Sequence, residues 1–103
     1  MTMRLAIVLI LAGFSTAAMA ESPVEIRMFQ FRPGHLEAKA GTKVRWINQD
    51  DIPHTVVASD RSFKSKVLDS DERFSFTFTK PGEYGYFCGL HPHMTGKVIV
   101  KAG

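Results

Sequence analysis

From Arg73 to Cys88 the chain alternates with a period of two, breaks once, and resumes. Phe74, Phe76 and Phe78 share one face, Pro81-Gly82 interrupts, and Tyr84, Tyr86 and Cys88 then share one face again. Only an extended strand places every second side chain on one side, so this stretch predicts two strands joined by a turn. The same rhythm recurs upstream. Val24, Ile26 and Met28 alternate with Glu25 and Arg27, and the apolar phase then slips by one residue to Phe29 and Phe31, which predicts a bulge or bend. Pro33-Gly34 and Gly41 mark turns around a strand in 36–40. Thr42 to Asn48 reads as a strand with Val44 and Trp46 inward. Asn48-Gln49-Asp50-Asp51 turns the chain, and His54 opens an extended run through Ala58. Residues 59–70 are polar and serine-rich, expected as a loop with a short strand or one helical turn. Val98 and Val100 face inward on a last short strand in 97–101. About seven short strands with little or no helix predict an all-β sandwich or barrel, with Trp46 and the three phenylalanines as core.

The first twenty residues have a different character. Arg4 is followed by an apolar run from Leu5 to Phe14 and by the small-residue ending Ala18-Met19-Ala20. This is the pattern of a secretory signal peptide, with cleavage expected after Ala20. The uncharged stretch is short for a membrane span. Residues 21–103 then form a single domain, exported and not stably inserted in a membrane. Without Arg4 the lysines and arginines number twelve against ten acidic residues. The charges are dispersed, which excludes a nucleic-acid-binding surface of the usual basic kind.

One cysteine in such a domain cannot form an internal disulfide. In an exported chain an unpaired thiol must dimerise, react or bind a metal, and a small domain gains from a metal as a staple. Cys88 lies in Cys88-Gly89-Leu90-His91-Pro92-His93-Met94, where thiol, imidazole and thioether recur every third residue. Taken singly, each has a plain alternative: a buried cysteine is commonly inert, and a loop methionine commonly packs. Jointly they form a metal loop short of one ligand. His54, at the start of a strand and far off in sequence, is the candidate, because strand ends of a sandwich converge at its poles. Two imidazoles, a thiolate and a weak thioether make the donor set of a mononuclear blue-copper site. A cysteine-nucleophile enzyme built on Cys88 lacks any evident orienting carboxylate or substrate pocket.

Several segments together resemble the cupredoxin family, nearest its amicyanin branch. They are Phe31-Arg32-Pro33 with Leu36, Gly41 to Asn48, Ile52-Pro53-His54-Thr55-Val56, Phe78 to Tyr84, and Cys88 to Met94 leading into Gly96-Lys97-Val98. The resemblance spans nearly all of the domain, and two residues in each gap of the ligand loop are the amicyanin-like spacing. It implies a Greek-key sandwich with copper at one pole, His54, Cys88 and His91 in the ligand plane and Met94 on the axis. Backbone N–H groups near the loop, such as that of Leu90, are expected on the thiolate. It implies a periplasmic, monomeric one-electron carrier rather than an enzyme. Redox partners (a dehydrogenase, cytochrome or reductase) would dock transiently near His91, on an apolar patch of Ile52, Pro53, Leu90 and Pro92. A periplasmic copper carrier using the same ligands is the alternative, with His93 and Met28 as its supports. Two departures stand out. Thr55 replaces an asparagine that ties the ligand loops together in the best-known members, and His93 occupies a place where an aromatic is common; it is expected to face solvent.

Overall fold

The computed structural model describes residues 20–103; the signal-peptide assignment, apart from Ala20, lies outside the described residues. Eight strands follow in order: β1 (Glu21–Arg27), β2 (Gln30–Arg32), β3 (His35–Lys39), β4 (Thr42–Asn48), β5 (Val57–Ala58), β6 (Arg73–Phe78), β7 (Gly82–Cys88) and β8 (His91–Lys101). They form two four-stranded sheets, ordered β2-β1-β4-β6 and β3-β8-β7-β5. The chain passes between sheets after β2, β3, β4, β5 and β6, so sequence neighbours are often not sheet neighbours. This is the Greek-key sandwich, and no helix occurs among the described residues. β1 runs parallel to β4 and β3 parallel to β8, while the remaining pairs are antiparallel.

The alternation read from the sequence sets the two faces. Along β4 every second residue, Thr42, Val44, Trp46 and Asn48, is buried. Val24 and Ile26 of β1 join them, with Phe78, Tyr86, Val98 and Val100 from the other strands. Trp46 is the hub of this interior, with ring centroids 5.3 Å from Tyr86, 5.6 Å from Phe63 and 5.7 Å from Phe74. Full burial of such side chains contributes about 1.5–3 kcal/mol each.

Three sequence expectations change. The slip after Met28 is a bend rather than a bulge, a two-residue hairpin turn: Arg27 pairs with Gln30, leaving Met28 and Phe29 at the tip with φ of 51° and 57°. Met28 is therefore exposed and not inward. The extended run from His54 narrows to a strand of two residues, because 59–70 folds back on it through bridges His54–Leu68 and Val57–Lys64. That loop has no helical turn, and it buries Phe63 and Leu68. The final strand is long and begins at His91, since β7 and β8 form a tight hairpin about Gly89-Leu90. Cys88 pairs with His91, and a register shift accommodates 92–94.

Candidate metal centre

The ends of β1, β4 and β7 meet the starts of β2 and β8 at one pole. Each brings one component. Cys88 closes β7 with its side chain inward, continuing the phase of Tyr86, and is fully buried. His91 opens β8 directly opposite and is half-buried. His54 arrives on the β4–β5 connection and is fully buried. Asn48, also buried, holds that connection in place. Its side-chain N–H groups donate to the carbonyls of Ile52 and Leu68, both at 2.9 Å, and its side-chain oxygen accepts from the Asp50 N–H at 2.9 Å.

His54 Nδ1 lies 3.5 Å from Cys88 Sγ, and His91 Nδ1 lies 3.6 Å from it. The three potential ligand atoms all fall within 4.8 Å of one another. Bonds of about 2.0–2.1 Å to imidazole nitrogen and about 2.3 Å to thiolate sulfur put sulfur and nitrogen roughly 3.5–3.8 Å apart for ligand angles between tetrahedral and trigonal. The residues present thus fit one small ion between them. Met94, three residues into β8, is buried. His93 is exposed and stands outside the His54–Cys88–His91 group.

The other nitrogen of His54 is also fixed. Nε2 lies 2.8 Å from Asp50 Oδ2. Burial pushes the Asp50 carboxyl up. The backbone N–H groups of Phe29 and Met28, together with His54, outweigh that and hold it below the usual carboxylate value. An ionised Asp50 only accepts, so His54 Nε2 carries the proton and Nδ1 presents a lone pair toward Cys88. The sulfur itself accepts from the Thr55 N–H at 3.4 Å. The donor to sulfur is Thr55 on the His54 segment, where the sequence suggests Leu90. Thr55 Oγ1 accepts from the Gly89 N–H at 2.7 Å, so this side chain joins the two ligand-bearing segments.

Sequence reading misses three contributors. Phe29 sets its ring edge-on to both imidazoles, with centroids 5.7 Å from His54 and 5.2 Å from His91. Asp50 reads in the sequence only as part of a turn, although an acid four residues before a ligand histidine is a usable signal. Met28 and Phe29 also enlarge the expected apolar rim: among the described residues they are exposed large hydrophobic side chains, as are Leu90 and Val67, which line one cavity beside Thr55 and Gly89.

A β-sandwich that closes a buried thiol and two imidazoles at one end defines a class of small metal-binding proteins. Comparison with known proteins narrows it. The cupredoxin-like domain profile matches residues 2–100. Amicyanin of Paracoccus denitrificans is 34% identical over 95 residues, covering 85% of this chain and 72% of that protein. Amicyanin-alpha of Methylorubrum extorquens is 34% identical over 101 residues, covering 88% and 85%. Among solved structures, a purple cupredoxin from Nitrosopumilus maritimus superposes with a TM-score of 0.76 at 30% identity, covering 78% of this chain and 99% of that one. The chain belongs to the cupredoxin family.

Proposed function

We propose that this protein is a periplasmic mononuclear type-1 copper protein that carries single electrons between redox partners. His54 through Nδ1, Cys88 through Sγ and His91 through Nδ1 would hold the copper, with the Met94 thioether as a weaker fourth donor. The observation that carries the reading is the pair of 3.5 and 3.6 Å sulfur–nitrogen distances around a fully buried thiol. Copper, when bound, supplies a one-electron couple between Cu(II) and Cu(I). The chain's own part is to keep the ligand atoms in place in both states. Asp50 orients His54, the Thr55 N–H donates to the sulfur, and the hairpin sets His91 opposite Cys88. Amicyanin relatives support carriage rather than catalysis.

His91 is the ligand nearest solvent, and Met28, Phe29, Leu90 and Pro92 around it form an apolar rim suited to brief docking of a redox partner. Loading the protein with Cu(II) should give an intense thiolate charge-transfer band near roughly 600 nm. Cys88→Ala should abolish it. A wild-type protein that binds only zinc, or no metal, refutes the assignment. Reversible voltammetry with tightly retained copper separates an electron carrier from a copper carrier, which would yield its ion rapidly to a chelator.

A further inference from the structure

The hairpin between β1 and β2 has an unusual tip. Two-residue turns with positive φ at both positions favour Asn-Gly, because residues with a Cβ are strained there. This chain places Met28 and Phe29 at φ of 51° and 57°. Both are exposed, Met28 by 68% and Phe29 by 54%, so core packing does not account for them. A strained turn persists only where its surroundings over-determine it. Here the determinant is Asp50, which accepts from the Met28 N–H at 2.6 Å and from the Phe29 N–H at 3.1 Å. The same carboxylate bonds His54 Nε2. It is itself anchored on both flanks, since its N–H donates to Asn48 Oδ1 and its carbonyl accepts from Ser70 Oγ. What the strained tip delivers is the Phe29 ring, at interplanar angles of 86° and 89° to His54 and His91.

Resting on the copper reading above, we propose that Phe29 is a positioning residue that retains the two imidazoles, above all His91, in their metal-binding orientation, and that Asp50 sets Phe29 in place. His54 is also held by the protein at Nε2. His91, half-buried on a tight hairpin, has no equivalent polar anchor among the described residues; the Phe29 ring lies against it and blocks its outward swing. Stability is given up at the turn to keep an aromatic against the ligands.

This trade-off gives the test a direction that a merely structural residue would not produce. Phe29→Gly relieves the turn and removes the ring. The melting temperature of the metal-free protein should hold or rise. Transfer of Cu(I) from the loaded protein to excess bicinchoninate should accelerate about tenfold, the scale expected for removing one aromatic pair. Phe29→Tyr should restore slow transfer. Asp50→Ala should also accelerate transfer, and adding Phe29→Gly in that background should change little, because the ring is already released. In the metal-free protein, the carbon-bound imidazole proton shifts of His54 and His91 should move on Phe29→Gly. Unchanged shifts together with unchanged transfer overturn the proposal, as do strictly additive effects of the two substitutions. Failure of the copper reading would show separately, as a wild type without a thiolate band.

Discussion

Thr55 contributes through both its backbone and its side chain. Its N–H points at the Cys88 sulfur, and its Oγ1 takes the Gly89 N–H at 2.7 Å. Thr55→Ala keeps the first interaction and deletes the second. The orphaned amide should cost about 1 kcal/mol in denaturant unfolding, since a net hydrogen bond is worth about that much. Metal release should quicken, because the His54 and Cys88 segments then lose the side-chain tie beside the ligands and keep only the sulfur contact and the β5–β7 pairing. Thr55→Ser should recover both properties. If alanine and serine variants behave alike, the hydroxyl does not tie the segments. Gly89 belongs to the same joint: a Cβ there would stand 3.0 Å from Thr55 Oγ1, so the donor comes this close because the residue has no side chain.

Among the elements, the β7–β8 hairpin does most to place the site, carrying Cys88 and His91 at one end. Its close packing depends on Gly96, which pairs with Tyr86. A Cβ at Gly96 would lie 2.7 Å from Tyr86 Cε2 and overlap the rest of the ring edge. Tyr86 is buried and cannot yield, so Gly96→Ala should destabilise the protein by about 3 kcal/mol in chemical denaturation, the upper range for overpacking. A smaller residue at 86 should relieve much of that loss, making the Gly96→Ala/Tyr86→Leu pair less than additive. An alanine variant of unchanged stability would mean that the hairpin has room the structure does not display. These strands were legible in the sequence because their signal is local. Alternation from Arg73 to Cys88 and the Pro81-Gly82 break sufficed for β6 and β7, and the every-third spacing of Cys88, His91 and Met94 marked the segment whose Cys88 and His91 the structure brings together with His54. The contributions of Phe29 and Asp50 were not legible. They depend on the β1–β2 tip meeting the end of β4, an approach of residues about twenty positions apart that no periodicity encodes. The start of β8 was hidden for a related reason: Pro92 and His93 read as loop, and only pairing of Cys88 with His91 makes them strand.

Taken as a whole, the molecule sets a polar, hydrogen-bonded pole against an interior of aromatics packed in tilted and T-shaped pairs across both sheets. That interior carries one uncompensated cost. Trp46 Nε1 and the Tyr86 hydroxyl are buried with no hydrogen-bond partner among the described residues. Burial pushes the Tyr86 phenol up to about 12, only partly offset by the nearby Trp46 indole. The sign of the pH effect follows. In the unfolded chain the phenol ionises near its ordinary value of about 10, whereas in the folded protein it stays neutral. The stability from this group is therefore complete below about pH 10 and is lost as pH rises toward 12, by at most roughly 3 kcal/mol. Tyr86→Phe keeps the ring in the aromatic cluster and removes the ionisable, unpartnered hydroxyl. Near neutral pH the variant should match or exceed the wild type in denaturant unfolding of the metal-free protein. Between roughly pH 10 and 11.5 the wild type should fall behind it progressively, by up to about 1.4 kcal/mol per pH unit. Parallel decline of the two proteins over that range would place the alkaline weakness elsewhere, in the lysines and the exposed charges of the sheet surfaces, and would mean that the Tyr86 hydroxyl finds a partner in solution.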